Sequence, residues 1–274
     1  MIEFFDNIDS TVFLFFNGMR APFLDTFMMS FTDRFIWVPF YVVLAGLLFR
    51  GGGLRAGFLY MLALIIAVTL TDQTCASIIR PVAVRLRPSN LENPLSEFAQ
   101  VVGDYRGGDY GFPSCHSANS FALALFISLY YRRKAMTFVM FAWALLNSYT
   151  RLYLGVHYPG DLIVGAAIGC SFGFICYIAA QSIQCRWPRA FSIGEVIENS
   201  PKAIITGIAE RCDAILFKLK IFKAKEVGIS YIDFVWLTPA VILAWIILRS
   251  LISPLFWRVT KSSASQFHAL TRRR

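Results

Sequence analysis

Residues 111–131 read GFPSCHSANSFALALFISLYY, and Arg132, Arg133 and Lys134 follow at once. A polar turn gives way at Ala118 to an apolar run, which stops against a block of positive charge. On a helix, such a run has no polar face to turn toward water, so it is either a buried core helix or a membrane helix. Composition decides between the two. Hydrophobic residues make up 57% of the 274 and charged residues 16%, which leaves too little polar surface to cover a soluble globule. A span needs roughly 20 predominantly apolar residues, fewer where flanking side chains snorkel. Runs of that kind lie at 35–49, 58–70 with a polar continuation to 79, 118–131, 136–146 with its flanks, 162–180 and 234–248. The sequence therefore predicts an all-α integral-membrane bundle of about six transmembrane helices, with amphipathic interfacial helices beside it.

Working outward from that core, residues 1–34 carry Phe4, Phe5, Ile8, Val12, Phe15 and Phe16 at helical spacing, opposed by Asp6, Asn7 and Asp9. This segment reads as an interfacial N-terminal helix, broken by Gly18 and Pro22. Residues 35–182 hold five of the apolar runs and read as the membrane core. Residues 183–230 read as a basic amphipathic segment on the cytoplasmic side, and 231–274 as a last membrane helix with a basic tail. The acidic N-terminus does not have the pattern of a signal peptide, so insertion falls to the spans themselves.

The net charge of +9 raises the possibility of nucleic-acid binding. The basic residues instead gather at the ends of apolar runs, as with Arg50 and Arg55 or Arg132 to Lys134, which is the pattern of cytoplasmic loops and anionic-lipid contacts. No nucleic-acid partner is expected. The six cysteines contain no C-x-x-C pair, which argues against a zinc site or disulfide framework. With the basic loops inside, the long polar connection 80–113 lies outside, and the clusters at 80–88, 113–116 and 150–161 share its face.

Each cluster has a bland reading and a chemical one. Arg80 and Arg87, seven apart, would lie two turns apart on one helical face; they are either interfacial anchors or a grip on one anion. Ser114 stands where an N-cap belongs, and the free N–H groups beyond it make an oxyanion site. His116 in the first turn either bonds the loop above it or hands a proton to a bound group. His157 and Asp161 have the i, i+4 spacing that lets a carboxylate orient an imidazole, provided Tyr158-Pro159-Gly160 permits a helical turn. The pair could also ligate a metal, but no second carboxylate is spaced to complete a site, so none is expected. Arginines, a helix N-terminus and two histidines on one face point to phosphoryl transfer. Asp72, in the polar end of the second run, needs a partner within the membrane, and Arg80 or Arg87 is the expected one.

These clusters resemble the signatures of the type 2 phosphatidic acid phosphatase superfamily, K-x6-R-P, P-S-G-H and S-R-x5-H-x3-D. Here they stand as Arg80-x6-Arg87-Pro88, Pro113-Ser114-Cys115-His116 and Thr150-Arg151-x5-His157-x3-Asp161. The resemblance implies a membrane phosphatase acting without cofactor or metal on a lipid phosphate. In it His157 is the nucleophile forming a phosphohistidine, Asp161 orients His157, and His116 is the acid and then the base. Arg80, Arg87, Ser114, Cys115 and Arg151 bind the phosphoryl oxygens. The sequence departs in having Arg for Lys at 80, Thr for Ser at 150 and Cys for Gly at 115, where a side chain enters the phosphate loop.

The resemblance further implies the bacterial inner membrane, with the site facing the periplasm. Substrates it admits are lipid A, undecaprenyl diphosphate, phosphatidylglycerol phosphate and phosphatidic acid, with lipid A favoured by the extra C-terminal section. A lipid phosphotransferase would share every motif. A non-catalytic lipid-binding or transport protein would have no use for His116, His157 and Asp161 together.

Overall fold

The computed structural model describes residues 2–187, 239–247 and 250. It opens with α1 (Ile2–Asn17) and α2 (Pro22–Phe31), separated at Gly18 with Pro22 at the first position of α2. A Pro there gives up no helical hydrogen bond, because the first N–H groups of a helix are unpaired anyway. α3 (Val38–Gln73) contains one non-helical residue, Gly53 at φ 71°. The chain reverses there: a Cβ on Gly57 would fall 2.7 Å from Cα of Phe49, which one continuous helix could not bring about. The glycines of RGGGLR thus make the hairpin that joins the first two predicted spans, and only Gly takes a positive φ without cost.

Beyond α3 the helix widens into a π turn at Thr74–Ile79 and closes as the short α4 (Arg80–Ala83). Three helices follow, α5 (Cys115–Tyr131), α6 (Lys134–Tyr153) and α7 (Pro159–Arg186). Gly52–Ala83 and Pro159–Arg186 are each long and apolar enough to cross a membrane, and Pro22–Phe31 with Phe35–Arg50 make a further pair, bent by 68°. α5 and α6, at 17 and 20 residues, are at the short end of a span's length.

Small residues set the register of α5 against α7. A Cβ built on Gly165 would fall 2.5 Å from Ser114 O and one on Gly173 2.7 Å from Ala122 O, while one on Gly169 would come closer still to Ala118 O. Both partner series advance by one turn, so the helices run parallel, with their backbones as close as glycine allows. Their N-termini therefore lie at the same end, with α6 returning between them. At the opposite end Tyr60 donates to Gln184 and Tyr130 to Leu48 O. An aromatic cluster of Phe31, Trp37, Phe40 and Trp143 fills the space between α2, α3 and α6.

The expected amphipathic segment 183–230 lies outside the described residues beyond position 187. Of the expected last span, residues 239–247 are helical, and Ile242 and Ile246 join the main core.

Candidate active site

The loop after α4 departs from the expected geometry. The helix ends at Ala83 and Val84 turns left-handed at φ 47°, so Arg87 is not two helical turns beyond Arg80. Instead residues 85–87 run extended against 109–111, with Arg87 N donating to Asp109 O and Gly111 N to Arg85 O. Alternate residues of an extended segment share a face. Arg85 and Arg87 accordingly lie on one face and reach neighbouring groups, Arg87 to His157 and Arg85 to Asp161.

The His157–Asp161 pair is also not a helical i, i+4 contact. Tyr158 is the N-cap of α7 and Pro159 its first residue, so Asp161 closes a capping box in which its Oδ2 accepts from Tyr158 N at 3.0 Å. The same oxygen lies 3.3 Å from His157 Nδ1. Across the ring, His157 Nε2 lies 3.2 Å from Arg87 Nη1. A guanidinium only donates, so Nε2 is the acceptor and the ring proton sits on Nδ1, directed at Asp161. His157 is 2% exposed. Burial and then the charges of Arg87, Arg151 and Arg80 hold its pKa well below the usual histidine value. The site thus presents a neutral imidazole with its lone pair directed at a group of cations.

Those cations lack counter-charges among the described residues. Arg80 Nη2 donates to Pro113 O at 3.1 Å and to Cys115 Sγ at 3.0 Å. Arg151 is 2% exposed and bonds Thr32 Oγ1 and Tyr105 OH. Arg87 bonds the carbonyls of Tyr110 and Val156. Among the described residues none of the three forms an ion pair with a carboxylate. Nε of Arg80 and of Arg151 are buried without a hydrogen-bond partner among the described residues. Burial, then Arg151 and Arg80, push the Arg87 pKa down to about 10. Guanidiniums grouped without a carboxylate among the described residues favour an anion between them, and their forks suit a phosphoryl group.

The second motif joins from α5. Ser114 is the N-cap, its Oγ accepting from Ser117 N, while its own N–H donates to Asp161 O at 3.0 Å. That bond and the Gly165 contact lock the Pro113–His116 turn to the start of α7. Cys115 occupies the first turn with its sulfur on Arg80. The side chain in place of the usual glycine is thus accommodated by the cation beside it. His116 is exposed and opens on a cleft of about 560 Å³, whose walls include Trp37, Leu64, Asn119, Leu123 and Trp143. Asp72 on this wall accepts from Asn119 Nδ2 at 3.0 Å, which corrects the expected pairing with Arg80 or Arg87.

Three relations were not evident in the sequence. Arg85 binds Asp161 Oδ1 at 2.9 Å, Tyr105 supports Arg151, and Gly111 packs so tightly that a Cβ would meet Arg87 Cγ and Asp161 Oδ2 at 3.1 Å. Each joins positions far apart in the chain and leaves no local pattern.

With this geometry in place, comparison with known proteins is decisive. The sequence pattern of the PAP2 superfamily matches residues 56–184. A lipid A 4'-phosphatase of Bacteroides thetaiotaomicron is 40% identical over 222 residues, covering 80% of this chain and 99% of that protein. The chain belongs to the PAP2 superfamily. A second lipid A 4'-phosphatase, from Porphyromonas gingivalis, is 30% identical over 206 residues, covering 75% of this chain and 85% of its own. The crystal structure of a transmembrane PAP2-type phosphatidylglycerolphosphate phosphatase from Bacillus subtilis shares the fold at TM-score 0.50 and 20% identity, over 65% of this chain and 87% of that one. This PAP2 protein is a multi-pass membrane phosphatase.

Proposed function

We propose that the protein removes the 4'-phosphate of lipid A, without a metal, from the periplasmic face of a bacterial inner membrane. The observation that carries the chemistry is the neutral His157, whose Nε2 faces three guanidiniums that no carboxylate among the described residues pairs. A bound phosphate monoester satisfies Arg80, Arg87 and Arg151 and draws Arg87 off the Nε2 lone pair. Nε2 then attacks phosphorus as the P–O bond to the lipid breaks. His116, as imidazolium, gives its proton to the leaving oxygen. The positive charge that appears on His157 is met by Asp161 across the Nδ1 hydrogen bond. Water next attacks the phosphohistidine, His116 accepts its proton, and phosphate leaves. Charge spread over the phosphoryl oxygens is met throughout by the arginines and by the N–H groups after Ser114.

The lipid class is supported by the cleft below His116, an apolar space between helices that suits an acyl chain. Lipid A itself is supported by the two lipid A 4'-phosphatases that this chain matches over most of its length. The periplasmic face is supported by the basic residues Arg132, Arg133 and Lys134 at the end of α5 away from the site.

The test is phosphate release by purified protein in detergent with EDTA, from lipid A, undecaprenyl diphosphate, phosphatidylglycerol phosphate and phosphatidic acid, with His157→Ala as control. The expected result is release from lipid A that survives chelation, is lost in the variant, and by mass spectrometry removes the 4'-phosphate. Transfer of the phosphoryl group to an added alcohol in preference to water identifies a phosphotransferase instead. Preference for another lipid overturns the substrate assignment.

A further inference from the structure

Arg85 has no place in the three signatures, yet among the described residues it is the arginine of the site saturated with carboxylates. Its Nη1 binds Asp161 Oδ1 at 2.9 Å; its Nη2 lies 2.7 Å from Asp9 Oδ2 and 3.2 Å from Asp6 Oδ1. Its guanidinium carbon stands 4.1 Å from the centre of the Tyr158 ring. A guanidinium so occupied has little left to offer a phosphoryl group, in contrast to Arg80, Arg87 and Arg151. Asp9 comes from α1, ahead of the residues 56–184 that match the family. Its second oxygen, Oδ1, accepts from Gly160 N at 2.7 Å, and a Cβ on Gly160 would fall 2.9 Å from Oδ2. One carboxylate of the N-terminal helix therefore grips the first turn of α7 directly and through Arg85.

We infer that Asp9 and Arg85 are positioning residues for His157: the N-terminal helix holds Asp161 through an Asp9–Arg85–Asp161 chain, and Asp161 holds the imidazole. This rests on the reading of His157 as nucleophile. Asp161 is 0% exposed, and its Oδ2 is divided between His157 Nδ1 and Tyr158 N. Its Oδ1 has Arg85 as side-chain partner. Without Arg85 a buried carboxylate oxygen is uncompensated and the group turns or takes a proton, which costs His157 its orienting acceptor. Asp9 is 12% exposed at the side chain and fixes the far end of the guanidinium fork, so its effect passes through Arg85. The exposed Asp6 adds a weaker third contact.

The test measures kcat, KM, inhibition by inorganic phosphate and thermal stability of the full-length protein on lipid A and on a soluble aryl phosphate. The variants are Asp9→Asn, Arg85→Lys, Arg85→Gln and the Asp9→Asn/Arg85→Gln double. Asn at 9 keeps an oxygen for Gly160 N while losing the ion pair, so it isolates the link to Arg85. Both Asp9→Asn and Arg85→Gln are expected to lower kcat, the latter by on the order of 10- to 100-fold, as for partners that orient a histidine ligand. KM and inhibition by inorganic phosphate stay within about twofold, because no phosphate contact is lost. The double variant is no slower than Arg85→Gln, and Arg85→Lys recovers part of kcat. Loss of inhibition by inorganic phosphate together with kcat would make Arg85 a phosphate ligand and overturn the inference. So would additive losses in the double variant, or wild-type kcat in both Asp9→Asn and Arg85→Gln. Should Arg85→Gln not fold, Asp9→Asn and Arg85→Lys decide by the same kcat-against-KM criterion. Wild-type turnover in His157→Ala overturns the underlying reading and this inference with it; an inactive His157→Ala beside wild-type Arg85→Gln removes only this inference.

Discussion

His157 ties the protonation of the site to the stability of the fold. Its folded pKa lies well below the unfolded value of about 6.5, first because it is buried and then because guanidiniums surround it. Between those two values the unfolded chain binds more protons than the folded one, so the contribution of this residue is complete above pH ~6.5 and is lost as pH falls below it. Thermal unfolding in detergent from pH 7.5 downward should show this decline, and His157→Gln should flatten it. An equal slope in the variant places the acid sensitivity elsewhere. Gly111 imposes a steric condition at the same residue. A methyl there presses on Arg87 and on Asp161, both fixed by other bonds. Gly111→Ala should cost ~1–3 kcal/mol of stability, as overpacking does, and lower kcat at least about tenfold. Unchanged turnover would mean that the 109–111 strand yields. Spacing made His157, Asp161, Ser114 and His116 legible in the sequence, because motif and geometry are both local there. Arg85 and Asp9 were not legible: their contacts to Asp161 and Gly160 span 76 and 151 residues, and charged side chains in a polar loop or on an amphipathic helix read as solvated until their partners are seen.

At the scale of elements, the site exists because two helices begin at one place and stay in register. α5 and α7 meet along Gly165, Gly169 and Gly173, and the first of these contacts lies beside the Ser114 cap. Gly169 is the tightest, against the backbone of Ala118. Gly169→Ala must push the helices apart, which moves Ser114 away from Asp161 as well as costing stability. A drop in melting temperature with loss of activity is expected, whereas Gly108→Ala, with open space around it, should leave both unchanged. Equal tolerance of the two substitutions would show that the helix pair adapts. Apolar runs, Gly18 and Pro22 made most helices readable in advance. The end of α4 was not. Val84 is β-branched and adopts a left-handed conformation such residues rarely take, so nothing local announces the turn that sets Arg87 on an extended strand.

For the whole molecule, sidedness follows from the same parallel pair. α5 and α7 start at the site, so Arg132, Arg133 and Lys134 after α5 lie at the opposite end, and the connection containing Glu92 lies on the side of the site. A block of three cations at the end of a short helical hairpin is a strong cytoplasmic signal. The orientation can be read by introducing Glu92→Cys and Lys134→Cys, both at exposed positions, and treating cells whose outer membrane has been permeabilised with a membrane-impermeant maleimide. With the unsubstituted protein as background for the native cysteines, position 92 should label in intact inner membranes and position 134 only after lysis. The reverse pattern would turn the site toward the cytoplasm. The guanidinium cluster and His157 could then serve only a lipid phosphate presented on the inner leaflet, which would exclude any substrate whose headgroup is exposed on the periplasmic side alone.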